Sequence, residues 1–165
     1  MRVAMLVLLL SLASFAVASQ EASTGNRTPD PEIKRQLDEL KYEFEVDEDG
    51  DYKLVFDVGG STEKRSQLVY VRSPVESYGT LRVREIWSPG YRSKDKDFTA
   101  PVANRLLTAT QDNKAGAWSK QGEYAVFVVR LPANAPAKEL GDAIDLAITS
   151  ADQMEAELTP GKDDL

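Results

Sequence analysis

The stretch "YEFEVDEDGDYKLVFDV", residues 42–58, decides the fold class. Tyr42, Phe44 and Val46 alternate with Glu43 and Glu45, the period of a strand with one face turned to a core. After the turn at Asp47 to Asp51 the alternation resumes in Tyr52, Leu54, Phe56 and Val58, so two strands and a tight turn form a hairpin. Just upstream the period differs. Ile33, Leu37 and Leu40 fall on one helical face, with Asp30 placed to cap and Pro31 suited to the first helical position, which predicts a short helix from Pro31 to Leu40.

Downstream, Gly59 to Glu63 supplies a second reversal. Leu68, Val69, Tyr70 and Val71 then run almost unbroken within Gln67 to Arg72, as in a central strand, and Ser73-Pro74 is expected to end it. Thr80 to Trp87 predicts a fourth strand, with Leu81 and Val83 on one face and Arg82 and Arg84 on the other. Ser88-Pro89-Gly90 is expected to break the sheet. A charged loop from Tyr91 to Thr99 follows, and after Pro101 a helix with Val102, Leu106, Leu107 and Ala109 on its apolar face closes at Asn113 to Gly116. Ala117 to Lys120 and Tyr124 to Leu131 predict a second hairpin, its latter strand apolar enough to lie deep in the sheet. The last helix spans about Ala137 to Leu158, with Leu140, Ile144, Ala147, Ile148, Ala151, Met154 and Leu158 in one stripe. The expected fold class is α+β, a four-stranded antiparallel meander plus a hairpin with helices packed on the sheet.

The first 19 residues carry the three parts of an export signal: Arg2, an apolar run from Val3 to Leu12 too short for a bilayer, and Ala16-Val17-Ala18 as a small-x-small cleavage site. The organisation expected is a signal at 1–19, a flexible lead-in at 20–31, one domain at 32–159 and a tail at 160–165. The chain contains no cysteine, so no lipid can be attached through a thiol and no disulfide can form. Lys162-Asp163-Asp164-Leu165 is close to a reticulum retrieval address, and Asn26-Arg27-Thr28 fits a glycosylation sequon. Bacterial periplasm or secretion is the expected destination, with the lumen of the endoplasmic reticulum as the alternative.

Removing residues 1–19 takes away one basic residue and no acidic one, leaving the product more acidic than the whole chain's net charge of −7. That balance disfavours nucleic acid and anionic membrane. With neither histidine nor cysteine in the chain, the commonest general base, the best zinc ligands and the usual nucleophile-base pairs are missing. No catalytic residue, metal site or cofactor is assigned. Asp47-Glu48-Asp49-Gly50-Asp51 has spaced carboxylates around a glycine, yet Phe56 stands where a calcium loop needs its bidentate glutamate, and a plain acidic turn is the expectation. Asp57-Val58-Gly59-Gly60 lacks the hydroxyl residue and the second copy of an aspartic-protease pair. Asp47, Asp49 and Asp57 are the nominees if a carboxylate hydrolase is considered. The other alternative is a structural protein of envelope stress.

Binding is the favoured class. Tyr78, Trp87, Tyr91 and Phe98 cluster in sequence with Arg82, Arg84 and Arg92, and aromatics with arginines supply most of the energy of partner surfaces. Arg82, Arg84, Trp87 and Tyr91 are the candidate binding residues, for a protein partner, with a homodimer among the options and no membrane span.

The runs "YEFEVDEDGDYKLVF" and "ANRLLTATQDNKAGAWSKQGEYAVFVVRLP", with a long helix ending "ADQMEAEL", resemble the YbjN family of sensory transduction regulators. The resemblance covers Ile33 to Thr159. It implies a fold similar to type III secretion chaperones, a protein-binding scaffold, commonly dimeric, and no catalytic residue to transfer. Many members of that family are cytosolic, whereas this chain carries an export signal.

Overall fold

The computed structural model describes residues 28–59 and 65–161. The expected signal peptide, most of the lead-in, most of the Gly59 to Glu63 turn and the last four residues lie outside them. The fold is α+β: a six-stranded antiparallel open sheet with three helices packed against it. In chain order the elements are α1 (Pro31–Leu40), β1 (Glu45–Val46), β2 (Tyr52–Asp57), β3 (Ser66–Tyr78), β4 (Leu81–Arg92), α2 (Ala100–Asp112), β5 (Gly116–Gln121), β6 (Tyr124–Pro132) and α3 (Ala137–Leu158). The sheet order is β1-β2-β3-β4-β6-β5, so the meander comes first and the second hairpin adds with its later strand inward.

Local chemistry sets the helix ends. The Asp30 carboxylate accepts the Glu32 amide at 2.9 Å, Pro31 occupies the first turn, and Lys41 adopts a left-handed conformation (φ 60°) that lets the Tyr42 amide donate to the Leu37 carbonyl at 3.0 Å. Asp30 also donates its own N–H to Ser73 Oγ and pairs with Arg84. The end of the expected lead-in, Asp30 and Pro31, is thus built into the fold.

Two expected strand stops are bridged instead. β3 runs straight through Ser73-Pro74, with a register shift between Val71 and Val75. The last β2 partner of β3 is Val71, opposite Tyr52, so the missing N–H of Pro74 falls where β2 has already ended. The Ser73 amide donates to Asp51 Oδ1 at 2.7 Å instead of to a strand. β4 likewise continues through Ser88-Pro89-Gly90 to Arg92, absorbing the proline in a shift between Pro89 and Tyr91. Gly90 is required there, because a Cβ would lie 2.6 Å from Trp118 and 2.8 Å from the Ala151 carbonyl of α3. The sequence-predicted first strand is shorter than expected. Only Glu45–Val46 pair, although Tyr42 and Phe44 still meet Phe56 and Tyr52 edge-on at 5.2 and 5.3 Å.

The core lies on one side of the sheet. Tyr52 and Leu54 of β2, Val69 and Val71 of β3, Ile86 of β4, and Phe127 and Val129 of β6 pack against Leu140, Ile144, Ala147 and Ile148 of α3 and against Ile33 and Leu37 of α1. Each such large side chain contributes about 1.5–3 kcal/mol on burial. α2 joins the same side: Leu106 meets Ala125 and Met154, with Val102, Ala109, Tyr91 and Phe98 around them. Leu107, expected on that apolar face, is turned to solvent. β5 is an edge strand, and its outward-facing Trp118 amide is capped by Thr110 Oγ1 of α2 at 2.9 Å, which closes part of the edge to further pairing.

Candidate functional site

With all three helices on one side, no described helix packs on the opposite face. The pairing register assigns its side chains, because residues directly opposite one another share a face. One row crosses from β2 to β5 through Lys53, Tyr70, Trp87, Val128 and Ala117. Beside it Glu85 faces Arg130. On the other side of that row, Val55 is opposite Leu68, and Val126 lies between Pro89 and Ser119.

Trp87 is the centre of a connected polar and aromatic ladder. Its indole N–H donates to Glu85 Oε2 at 2.8 Å, and Arg130 donates to Glu85 Oε1 at 2.7 Å. The Arg72 guanidinium lies 4.2 Å from the Trp87 ring centroid and is paired with Asp51. Burial pushes the Asp51 carboxyl above its ordinary value, against the pull of the Ser73 amide and Arg72. A second cation-aromatic stack, Arg92 over Tyr124 at 5.2 Å, stands further along the face. Such cross-bracing fixes the rotamers before any partner arrives, which lowers the ordering cost of association.

Beyond β2, and beyond Val83, the last β4 partner of β6, β3 and β4 continue as a two-stranded arm closed by Gly79-Thr80, with Ser77 opposite Arg82 and Tyr78 opposite Leu81. Gly79 has φ 59°, the left-handed conformation that this turn needs. By alternation along β4, Leu81 and Val83 extend the uncovered face, and Tyr78 is 87% exposed. Tyr78, Leu81 and Val55, the last 60% exposed, are its exposed large apolar groups among the described residues.

The structure divides the candidate residues named from sequence. Trp87 lies at the middle of the uncovered face. Arg84 points to the helical side, is almost fully buried, and binds Asp30 at 2.6 Å and the carbonyls of Arg72 and Ser73 at 3.1 and 3.3 Å. It ties the start of α1 to the sheet. Tyr91 also lies on the helical side, its ring 5.8 Å from that of Phe98. Arg82 is exposed on the arm, on the same side of β4 as Arg84. Tyr70, Arg72, Glu85 and Arg130 were not singled out in the sequence. Their signal is the alternation of Tyr70 and Arg72 along β3, with the Glu85 and Trp87 spacing along β4, and it becomes legible once the strands are set in register.

The acidic turn is occupied by its own backbone. Asp47 Oδ1 accepts the amides of Asp49 at 3.0 Å and Asp51 at 2.9 Å, and Asp51 is committed to Ser73 and Arg72. Among the described residues no group of three or more acidic side chains is arranged to hold a metal ion. Asp57 stands at the far end of β2 from that turn, about 20 Å from Asp51 at the rise of a strand. No helix among the described residues is long and apolar enough to cross a membrane. In comparison with known proteins, no family model matches the chain and no curated protein matches it.

Proposed function

We propose that this chain is a non-enzymatic, exported binding domain that presents its uncovered sheet face to a protein partner. The observation that carries the reading is the Asp51–Arg72–Trp87–Glu85–Arg130 ladder, braced on a face that no described helix covers. Trp and Arg held rigidly beside exposed apolar groups are the side chains that dominate partner binding. The resemblance to the YbjN family, with its scaffold similar to secretion chaperones, supports the same class, and the signal-like first 19 residues support export.

The test is crosslinking in the native compartment, with the full chain carrying Trp87→Ala and, separately, Tyr91→Ala. Trp87→Ala is expected to remove the crosslinked partner, whereas Tyr91→Ala, on the helical side, retains it as long as the protein stays folded. Retention of every partner by a folded Trp87→Ala protein would overturn the assignment of this face.

A further inference from the structure

On the helical side of the arm is a groove of about 540 Å³, within the range of small-ligand sites. Its walls are Val75 of β3 and Leu81 of the arm on one side and Pro132 to Asn134 on the other, with the start of α1 between them. The Ala133 amide donates to the Arg82 carbonyl at 3.0 Å and fixes the two walls to each other.

The groove is lined by two carboxylates, Asp30 and Glu32, and two guanidiniums, Arg82 and Arg84, but their pairing is uneven. Asp30 is taken by Arg84 at 2.6 Å, and Glu32 by Arg35 at 2.7 Å, an arginine outside the groove that Glu39 shares, so each carboxylate already has a cation partner. Arg82 lines the same groove, is exposed, and its guanidinium has no carboxylate or hydrogen-bond acceptor among the described residues. Every other arginine among the described residues is in an ion pair. The groove therefore offers one uncommitted guanidinium, whose planar fork suits a carboxylate, between apolar walls.

We infer that this groove receives the C-terminal carboxylate of an extended polypeptide ending in an apolar residue, with Arg82 binding the carboxylate. The terminal side chain lies against Val75, where Leu81 and Pro132 border the groove. The Asn134 amide and the Thr80 hydroxyl offer hydrogen bonds to peptide groups, which a simple fatty acid lacks. Arg82 and Val75 lie on the opposite side of the sheet from Trp87, Leu81 and Pro132 border both surfaces, and none of the Trp87 ladder lines the groove.

The experiment titrates the purified protein with Ala-Ala-Leu as the free acid, the same tripeptide as its C-terminal amide, and 4-methylpentanoate, followed by heteronuclear NMR shifts. The acid is expected to saturate, with shifts at Val75, Leu81 and Ala133. The amide and 4-methylpentanoate are each expected to bind at least tenfold more weakly. Arg82→Gln is expected to weaken the acid at least tenfold while leaving the melting temperature unchanged, since the Arg82 side chain makes no hydrogen bond or ion pair among the described residues and its backbone bonds are retained. Trp87→Ala is expected to leave the titration unchanged. Absence of saturation, equal binding of acid and amide, or wild-type affinity in Arg82→Gln would each overturn the site. Binding of 4-methylpentanoate as tightly as the tripeptide would overturn the polypeptide as ligand.

Discussion

Asp30 is the point at which the helical layer is pinned to the sheet, and its removal can be worked through in parts. Its carboxylate caps α1 through the Glu32 amide, and its second oxygen binds Arg84, whose side chain is only 5% exposed. Asparagine caps a helix about as well as aspartate, so Asp30→Asn removes the charge and retains the cap. Breaking a buried pair by deleting one partner costs about 3–5 kcal/mol. Here Arg84 keeps two carbonyl partners and the Asp30 side chain is a quarter exposed, so about 2 kcal/mol is expected, below that range. Asp30→Ala also loses the cap, adding about 1 kcal/mol. At about 3 kcal/mol in all, Asp30→Ala is expected to lower the melting temperature by about 10 °C.

Dependence on pH separates charge from packing. Burial alone would raise the Asp30 carboxyl, but the bond to Arg84 and the Glu32 amide outweigh it and hold it below its ordinary value. A carboxylate depressed in the folded state contributes stability that is complete above its unfolded value, near 3.8, and is lost as pH falls through the lower folded value. In urea titrations from pH 7 to pH 2.5, the gap between wild type and Asp30→Asn is expected to be constant down to about pH 4 and to close below it. A gap under about 0.5 kcal/mol at pH 7, or one unchanged at pH 2.5, would refute the pin.

Gly90→Ala forces a methyl group against the Ala151 carbonyl and the Trp118 ring, and is expected to cost about 1–3 kcal/mol, read as a lower urea midpoint with an unchanged slope. Arg105 and Glu157 join α2 to α3 through two bonds of 2.6 Å, but both side chains are about two-fifths exposed. Arg105→Gln is therefore expected to cost less than about 1 kcal/mol, with the difference from wild type vanishing in 1 M salt.

The helices were the most legible part of the sequence because their signals are local. The stripe from Leu140 to Leu158 and the Asp30-Pro31 start need only neighbours within one or two turns, and both helices have the expected bounds. Strand ends depend on distant partners. Ser73-Pro74 reads as a stop until it is known that β2 ends opposite Val71, and Ser88-Pro89-Gly90 reads as one until α3 is found pressed against Gly90. In both places the proline is tolerated where the register slips, a property of the pairing rather than of the residues in sequence.

The candidate site shows the same limit more sharply. Arg82 and Arg84 are chemically identical and two positions apart on one strand, so alternation gives them the same side and cannot tell them apart. What separates them is reach: Arg84 lies level with the start of α1, where Asp30 and two carbonyls close around it, while Arg82 lies one step further along the arm, past the last paired carboxylate. Trp87 differs from both by an odd number of positions, which places it on the opposite face, and Tyr91, separated from it by an even number, should have joined it there. The slip between Pro89 and Tyr91 reverses the alternation and sends Tyr91 to the helical side. One extra residue in β4 thus divides a group that is contiguous in sequence. The same slip lets Gly90 admit α3 while the opposite face keeps its open ladder.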